Sequence, residues 1–350
     1  MVFGSEPAGG SGDSGPVIDV RYLRVWYAGA GGPIRAVDGV SFSLARGEVL
    51  GLVGESGCGK STLGRGLLGL LPPGAAMDGD IEFLGDDLVG GTSRDWSRRR
   101  GSGLGMIFQE PMTRLDPLMR ISDHFREALR GQERISRRAA DARALETLRA
   151  LGIPPSRYKN YPHEFSGGMR QRIMIALALA LRPSFVVADE PTTALDVLVE
   201  AQIIRILGEI RETFSPAMVL ITHNLGIVGQ ACDRVAVMYA GRIVEQGPVD
   251  AVFADPQHPY TQELLGATIS LTTTELKTIP GAPPDLGNPP PGCRFHPRCP
   301  FAMQVCVTEQ PETTELIGRQ VECHLQQRDR LTAEQARPWE RAELLVSDEA

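Results

Sequence analysis

Short apolar segments recur along most of the chain and are separated by turn-forming residues. Segments that are apolar throughout, or that alternate apolar with polar residues, favour β-strands. They predict strands at residues 18–27, 40–44, 49–53, 80–84, 104–108, 185–188, 218–222, 235–239 and 242–245. Apolar residues at every third or fourth position favour helices. They predict helices at 60–70, 136–151, 198–213 and 225–231, within a helical pattern that runs from 121 to about 181. Strands that alternate with helices imply a largely parallel sheet covered on both faces.

The same pattern divides the chain into four parts. Residues 1–16 are rich in Gly, Ser and Pro and predict a disordered leader. Residues 17–266 predict one α/β domain, with a helical subdomain inserted at about 110–182. After that the composition changes, and residues 267–330 predict a small cysteine-rich extension. A charged tail is predicted at 331–350.

Composition and charge narrow the function classes. The 42% apolar and 23% charged residues are ordinary for a globular protein, and the net charge is −7. A negative charge argues against a general nucleic-acid binder, which needs a basic face. The longest apolar run, 173–181, is far shorter than the roughly 20 residues that cross a bilayer. The leader also lacks the pattern of a signal peptide. We therefore expect a cytoplasmic protein that reaches a membrane only through a partner.

A phosphate-binding loop is predicted where the sequence reads GESGCGKS, at residues 54–61. It follows a predicted strand and opens a predicted helix, which is the context that such a loop needs. Its glycines let backbone N–H groups point at phosphate oxygens. Lys60 would supply charge to the β- and γ-phosphates, and Ser61 a hydroxyl ligand to Mg²⁺. The predicted ATP-contacting residues of this segment are Gly54, Ser56, Gly57, Cys58, Gly59, Lys60, Ser61 and Thr62.

Two carboxylates, Asp189 and Glu190, end an apolar strand where packing gives no reason for them. Because ligand sites of parallel sheets lie at the carboxyl ends of the strands, we expect both side chains beside the phosphate loop. Asp189 would then steady Mg²⁺, through water. Glu190 would orient and polarise the attacking water, since phosphoryl transfer depends on positioning and charge stabilisation.

From residue 18 to about 266 the chain resembles an ABC ATPase. Its FSGGM segment at 165–169 resembles the signature motif of that family, usually LSGGQ. The other matching features are a Q-loop glutamine, a D-loop aspartate, a switch histidine and an aromatic residue that stacks on adenine. The residues that carry these resemblances are Tyr27 (adenine), Gln109 (Q-loop), Ser166, Gly167 and Gly168 (signature), Asp196 (D-loop) and His223 (switch).

The resemblance implies a fold and a mechanism. The fold is a P-loop NTPase with a RecA-like mixed sheet core, an antiparallel β subdomain and an inserted helical subdomain. ATP would be sandwiched between two ATPase subunits, with the signature helix of one facing the ATP of the other. Glu190 would catalyse hydrolysis, Gln109 would sense Mg²⁺ and the attacking water, and His223 would hold the γ-phosphate. Asp196 would couple the two sites, so that ATP-driven closure becomes motion.

Four of the six cysteines cluster near the C-terminal end. In a reducing compartment such a cluster points to a metal rather than to disulfides. Thiolates separated by five, six and sixteen residues can converge on one centre. A zinc ion and an iron–sulfur cluster both remain open, because no C-x-x-C pair favours a zinc knuckle. The four predicted metal-binding residues are Cys293, Cys299, Cys306 and Cys323.

The segments 35–42 and 108–112, together with the tail GCRFHPRCP at 292–300, resemble oligopeptide/dipeptide importer ATPases. Members of that subfamily hold a [4Fe-4S] cluster in this region, so the resemblance favours a cluster over zinc. The adjacent His296 and His324 are expected at the surface and not as ligands. The resemblance implies a peripheral protein on the cytoplasmic face of the inner membrane that powers uptake of peptides or a related solute.

The implied partners are a second ABC ATPase subunit in a heterodimer, two transmembrane permease subunits and, through them, an extracytoplasmic solute-binding protein. The alternative is a soluble ABC ATPase that acts on nucleic acid or ribosomes. That class usually has two ATPase units, long insertions or a basic surface, whereas this sequence has one unit and a negative charge. A purely regulatory, degenerate ATPase is opposed by the intact Lys60, Asp189, Glu190 and His223.

Overall fold

The computed structural model describes residues 15–29, 31–100, 103–108, 115–191, 197–267 and 279–339, except for the side chains of 197–203. Gln109, Asp196 and nearly all of the predicted leader lie outside the described residues. The strands are β1 (Ile18–Gly29), β2 (Gly32–Leu44), β3 (Val49–Val53), β4 (Ala76–Phe83), β5 (Asp86–Asp87), β6 (Leu104–Ile107), β7 (Phe185–Asp189), β8 (Ala217–Ile221), β9 (Arg234–Tyr239), β10 (Arg242–Pro248), β11 (Thr313–Leu316) and β12 (Arg319–Glu322).

The helices alternate with these strands over much of the chain. They are α1 (Lys60–Gly66), α2 (Ser93–Arg99), α3 (Ile121–Gln132), α4 (Arg137–Ala150), α5 (Gly167–Ala180), α6 (Val197–Phe214), α7 (Leu225–Ala231), α8 (Val249–Ala254), α9 (Pro259–Gly266) and α10 (Gln304–Thr308). No helix in the described ranges is both long enough and apolar enough to span a bilayer.

The main sheet is mixed, with the strand order β11-β12-β10-β9-β3-β8-β7-β6. Strands β6, β7, β8, β3 and β9 are parallel, and β10, β12 and β11 are antiparallel to their neighbours. Every residue of β3, β7 and β8 is buried, as expected for parallel strands that are covered on both faces. The predicted mixed α/β architecture is therefore confirmed.

A second, antiparallel sheet has the order β2-β1-β4-β5. Strand β2 begins eight residues earlier than predicted, because its first half pairs with the end of β1 although it contains a glycine and a proline. That pairing sets Tyr27 opposite Ile34. The antiparallel sheet therefore presents the predicted adenine-stacking residue and an aliphatic neighbour side by side.

Helices α3, α4 and α5 lie between β6 and β7 in the sequence, in the region where a helical subdomain is predicted. Their apolar faces pack into one core that includes Phe125, Leu148 and Ile173. The core continues to β7 through Val186. The signature segment at the start of α5 is thus tied to the strand that ends at Asp189.

The cysteine-rich extension is joined to the main sheet, which sequence reasoning did not anticipate. Strand β12 pairs with β10 and β11 extends the sheet further. Both strands are mostly polar, with Val321 fully buried, so their residue pattern alone predicts no strand. They form because the edge of β10 offers unpaired backbone groups to any segment that reaches it.

The segment predicted as a charged tail packs, over residues 331–339, against the extension. The N–H groups of Gln304 and Val305 donate to carbonyls at Arg337 and Gln335, and the Trp339 ring lies edge-on against His296. The rest of the predicted tail lies outside the described residues.

Candidate functional site

The phosphate loop connects β3 to α1, and two of its glycines are required by the surrounding chain. Gly54 has a φ of 149° and Gly59 a φ of 110°, both in the region that disfavours side chains. A Cβ at Gly54 would lie 2.1 Å from the carbonyl oxygen of Met238, and one at Gly59 would lie 2.0 Å from that of Ala36. The loop therefore takes its shape only with glycine at these positions.

Lys60 begins α1 with its ammonium group turned back onto the loop. Its Nζ donates to the carbonyl oxygens of Gly54 at 2.8 Å and Glu55 at 2.9 Å. The residue is only 6% exposed. A buried cation whose hydrogen-bond acceptors are neutral carbonyls favours an anion beside it, because burial penalises an uncompensated charge.

Ser61 and Asp189 meet, although 128 positions separate them in the chain. The Ser61 hydroxyl donates to Oδ1 of Asp189 at 3.1 Å. Burial raises the pKa of Asp189 above its ordinary value, against the opposing effect of the Ser61 hydrogen bond. A hydroxyl and a carboxylate in contact supply the hard oxygen ligands that Mg²⁺ prefers.

Glu190 follows directly and adopts a left-handed conformation, with a φ of 46°. Its N–H donates to the carbonyl oxygen of Ile221 at 2.9 Å, which ties this residue to the end of β8. His223 lies just beyond β8, with its Nδ1 3.7 Å from Oε2 of Glu190. A bulky residue in this conformation is strained and persists only where its surroundings hold it. Here the hydrogen bond to the end of β8 holds the Glu190 backbone, and this fixes the direction of the carboxylate.

Lys60, Ser61 and Glu190 line one cavity of about 300 Å³. Asp189 and His223 do not line it but contact two residues that do, Ser61 and Glu190. At its outer end the Tyr27 hydroxyl donates to Oγ1 of Thr62 at 3.1 Å. Cys58 is buried beneath the loop and does not line the cavity, and burial raises the pKa of its thiol. The cavity is lined by Tyr27, Ile34, Ala36, Ser56, Gly57, Gly59, Lys60, Ser61, Thr62, Glu190 and Leu286.

The signature residues lie elsewhere on the chain. Ser166 caps α5, its Oγ accepting from the Met169 N–H at 3.4 Å. Ser166 and Gly167 are exposed, Gly168 is half-buried, and none of them lines the cavity. The structure therefore brings together the phosphate loop, Asp189, Glu190 and His223, but not the signature motif.

Sequence reasoning missed two residues that shape this site. Gln171, in α5, is 1% exposed and donates through Nε2 to the Pro191 carbonyl at 2.8 Å, next to Glu190. Leu286, in the Pro- and Gly-rich stretch 280–291 of the extension, lines the cavity, and its carbonyl accepts from the Arg35 N–H at 3.1 Å. Gln171 comes two residues after the signature segment, and this closeness was a usable signal. No sequence pattern pointed to Leu286.

The four C-terminal cysteines are near enough to influence one another electrostatically, and no disulfide joins them. The Cys293 N–H donates to the Cys306 carbonyl at 2.9 Å. Burial raises the pKa of the Cys293 thiol, and the nearby Cys323, Cys306 and Cys299 raise it further. Burial raises the pKa of Cys323 to about 12. Within the described ranges, however, no three His, Cys, Asp or Glu side chains are grouped so as to hold a single metal ion.

The expectation that the two neighbouring histidines lie at the surface is wrong. His296 and His324 are each 5% exposed. Their rings are used in the fold: Nδ1 of His296 lies 2.8 Å from the Cys293 carbonyl, and Nε2 of His324 lies 2.9 Å from the Glu309 carbonyl. Both are buried because the extension folds back on itself and on the main sheet.

Two protein-family models match the chain. The family described as "ABC transporter" matches residues 37–193, which contain the phosphate loop, the signature segment and the strand that ends at Asp189. The family described as "Oligopeptide/dipeptide transporter, C-terminal region" matches residues 244–306, which contain three of the four clustered cysteines.

Similar proteins and structures agree with these matches. The dipeptide transport ATP-binding protein DppD of Bacillus subtilis is 47% identical over 317 residues, 89% of this chain and 95% of that protein. The oligopeptide transport ATP-binding protein OppD of the same organism is 46% identical over 84% of each chain. A dimeric, post-hydrolysis structure of the ATP-binding cassette MJ0796 with ADP and Pi has a TM-score of 0.59 and 25% identity, over 66% of this chain and 98% of that one.

Proposed function

The chain belongs to the ABC transporter ATP-binding proteins, and from that premise we propose that it hydrolyses ATP to power peptide uptake by a membrane importer. The observation that carries this proposal is the Ser61–Asp189 contact, which joins the phosphate loop to Glu190 and His223 around one cavity. The peptide cargo is inferred from the match to the oligopeptide/dipeptide C-terminal region and from the names of the similar proteins.

Binding uses the cavity from its outer to its inner end. Tyr27 offers its ring to adenine, with Ile34 beside it. Lys60 exchanges its neutral carbonyl acceptors for phosphate oxygens, which compensates its buried charge. Ser61 and Asp189 hold Mg²⁺, which when bound neutralises charge on the phosphates. Their oxygen atoms and mutual contact fit such an ion.

Hydrolysis depends on the two strand ends. Glu190 accepts a hydrogen bond from the attacking water and orients it toward the γ-phosphate, since phosphoryl transfer is promoted by positioning. His223, mostly exposed at the edge of the cavity, donates to a γ-phosphate oxygen. Gln109, outside the described residues, is proposed to contact Mg²⁺ and the same water.

The exposed signature residues supply the second half of the mechanism. Ser166, Gly167 and Gly168 open a 14-residue helix, and none of them lines the chain's own cavity. A helix N-terminus favours phosphate. We propose that it binds ATP held by a second ATPase subunit, with the helical subdomain carrying it into place and Asp196 coupling the two sites.

Transport requires partners that this chain does not contain. We propose a heterodimer with a second ABC ATPase on the cytoplasmic face of the inner membrane, bound to two permease subunits that receive peptide from a solute-binding protein. Closure of the ATP sandwich would then move the permease. Action on nucleic acid finds no support in the comparisons, and the charge of −7 opposes it.

We also propose that the C-terminal cysteines hold a [4Fe-4S] cluster with a structural role. The four neighbouring thiols, of which those of Cys306 and Cys323 are buried, have the donor chemistry of a group that binds through thiolates. A single zinc ion needs its ligands around one point, at about 2.3 Å each for sulfur. Because no such group is preformed in the described ranges, the choice of a cluster over zinc rests on the resemblance of this segment to oligopeptide/dipeptide importer ATPases. Ligation would also stabilise the thiolate form, which burial alone disfavours.

Reconstitution tests the transport function. The chain would be assembled with its proposed permease and second ATPase partners, in proteoliposomes containing the solute-binding protein. We expect peptide to stimulate ATP hydrolysis and to accumulate inside, and we expect neither in a Glu190→Gln complex. If the complex binds the solute-binding protein but its rate of ATP hydrolysis does not change with any peptide, the peptide assignment is wrong.

Metal analysis tests the cluster separately. Protein purified without oxygen should contain iron and acid-labile sulfide, with broad visible absorbance that Cys299→Ser removes. One zinc ion and no iron would instead make the extension a zinc site.

A further inference from the structure

Arg298, in the cysteine-rich extension, has all five of its side-chain N–H groups in use. It forms two bonds to the Glu55 carboxylate, from Nη1 to Oε2 at 2.7 Å and from Nη2 to Oε1 at 3.0 Å. The remaining donors reach the carbonyls of Pro280 at 2.7 Å and Ile279 at 3.4 Å, and the Tyr239 hydroxyl at 3.3 Å. A guanidinium has five such donors, so this side chain is fully committed. Its side chain is only 6% exposed.

Glu55 is a residue of the phosphate loop, and Arg298 is one of three partners that fix it through their side chains. Its backbone N–H donates to the Tyr260 hydroxyl at 2.9 Å. Its carbonyl oxygen accepts from Lys60 at 2.9 Å. Its carboxylate forms the ion pair with Arg298, which lies 243 positions away in the sequence. Two of these three partners come from the chain after β10.

The same C-terminal segment also reaches the cavity directly. Leu286 lines it together with Tyr27 and Ile34, and its carbonyl is bonded to the Arg35 N–H in β2. Phe295 packs edge-on against Tyr239 and Tyr260 in a buried aromatic group. The path from Ile279 to Arg298 is therefore held against both ends of the nucleotide cavity.

We propose that residues 279–299 form part of the nucleotide site, in which Arg298 is a positioning residue that sets the phosphate loop through Glu55. The inference deepens the proposed ATPase function and rests on it. Arg298 acts through Glu55 and touches no reacting atom.

Two physical effects follow from the bidentate pair. First, a loop already held in shape loses less conformational freedom when it wraps around phosphate, so binding is stronger. Second, a carboxylate within the phosphate loop repels the nucleotide's negative charges unless a cation compensates it. Arg298 supplies that compensation at close range, in geometry that a lysine cannot reproduce.

A simpler alternative is that Arg298 only anchors the extension to the ATPase domain. That role would lower the stability of an Arg298 variant without changing nucleotide affinity in the folded protein. The two roles separate when thermal unfolding without nucleotide and the ATP dissociation constant are measured on the same variants.

The experiment compares Arg298→Gln, Glu55→Gln and the double variant by calorimetric titration of ATP with Mg²⁺. We expect Arg298→Gln to weaken ATP binding about tenfold, because it leaves the Glu55 carboxylate uncompensated. The double variant removes that carboxylate and should recover to within about threefold of the unchanged protein. A purely anchoring arginine predicts no such rescue.

A matched control is Arg242→Gln. Arg242 forms a comparable double contact from Nε to Glu322 in β12, at 3.0 and 3.1 Å, so it also ties the extension to the sheet. None of its recorded bonds reaches the phosphate loop. We expect its loss to lower the unfolding temperature with ATP affinity unchanged.

The outcomes are distinguishable from failure of the proposed function. If the unchanged protein binds no ATP, the ATPase assignment fails. If it binds ATP and Arg298→Gln binds equally well, or if Arg242→Gln weakens ATP as much, the positioning role is wrong. Should Arg298→Gln not fold, Glu55→Gln and Arg298→Lys decide together, because the Glu55 side chain is 21% exposed and both substitutions are conservative in size. We expect each to change ATP affinity, since each breaks the double hydrogen bond of the pair. Unchanged ATP affinity in both variants would overturn the proposal.

Discussion

The phosphate loop and the signature segment both open a helix with small residues, but their surroundings differ. A Cβ at Gly54 or Gly59 would collide with the chain's own carbonyl oxygens, whereas one at Gly167 would meet nothing within 4 Å. Lys60 is buried against the loop, while Ser166 is exposed. The loop is thus shaped by its own chain, whereas no contact within the described chain requires glycine at position 167. We infer that the signature glycine leaves room for another molecule, which is why half of the proposed mechanism needs a second subunit.

The largest effect is expected in the cavity beside the phosphate loop, at Glu190. Glu190→Gln should lower ATP hydrolysis by about 10³-fold, because the amide cannot accept a proton from the attacking water. ATP binding should be retained, since Lys60 and Ser61 are unchanged. Phosphate release and calorimetric titration measure the two quantities, with the exposed Glu212→Gln as control. Turnover at the unchanged rate would remove Glu190 from its proposed role.

Lys60→Ala should abolish the compensation of phosphate charge. We expect ATP to bind about a hundredfold more weakly, as is typical when one partner of a buried charge pair is removed. Lys159→Ala removes an exposed lysine of the helical region and should have no effect. If both variants bind ATP equally, the cavity is not the nucleotide site.

Ser166→Ala tests the signature segment. We expect a smaller effect there, on ATP hydrolysis in the complex and not on ATP binding. The isolated chain should bind ATP normally, but hydrolysis in the complex with the second ATPase should fall about tenfold, because one phosphate contact across the interface is lost. The control is Ser136→Ala, which removes the equivalent N-cap bond of α4, to the Ala139 N–H at 3.2 Å. If Ser166→Ala instead weakens ATP binding to the isolated chain, the two-subunit site is wrong.

The smallest expected effect is on stability, at Asp189. Its pKa is raised in the folded protein, chiefly by burial, so the folded state binds the proton more tightly than the unfolded chain. This carboxylate therefore contributes stability when protonated at low pH and loses it as the pH rises through the folded-state pKa. Asp189→Asn should raise the unfolding temperature slightly at neutral pH, with a gain that shrinks as acid is added, while weakening the Mg²⁺ dependence of ATP binding. A lowered unfolding temperature at neutral pH would contradict the sign of the shift.

Local motifs were readable from the sequence because their chemistry depends on neighbours in the chain. A strand, a glycine loop and a lysine at the start of a helix predict a phosphate site whatever surrounds them. The carboxyl ends of parallel strands then bring Asp189 and Glu190 to that site, as the contact with Ser61 confirms. The predicted strands and helices of the ATPase domain were mostly found, with errors at their ends.

Other features could not be predicted from the sequence, because their residue pattern is weak or because the residues that stabilise them lie far away in the chain. Helix α2 is mostly charged and has one buried residue, Trp96, so its residue pattern predicts no helix. Strands β11 and β12 are mostly polar and exist because the edge of β10 accepts them. The two buried histidines were expected outside for the same reason, since nothing nearby in the sequence shows that the extension folds back.

The sequence by itself determined the ATPase chemistry of this protein: the phosphate loop follows from local backbone requirements, the paired carboxylates from their place at a strand end, and the signature segment from its resemblance to a family motif. Only the tertiary structure decided that the C-terminal extension joins the main sheet and that Arg298 holds Glu55. That contact spans 243 positions and involves residue types that occur anywhere on a protein surface. The path of the whole intervening chain sets the geometry of this contact. Arg298 is the arginine that binds the loop because the fold buries it and because the carbonyls of Pro280 and Ile279 hold its side chain in place.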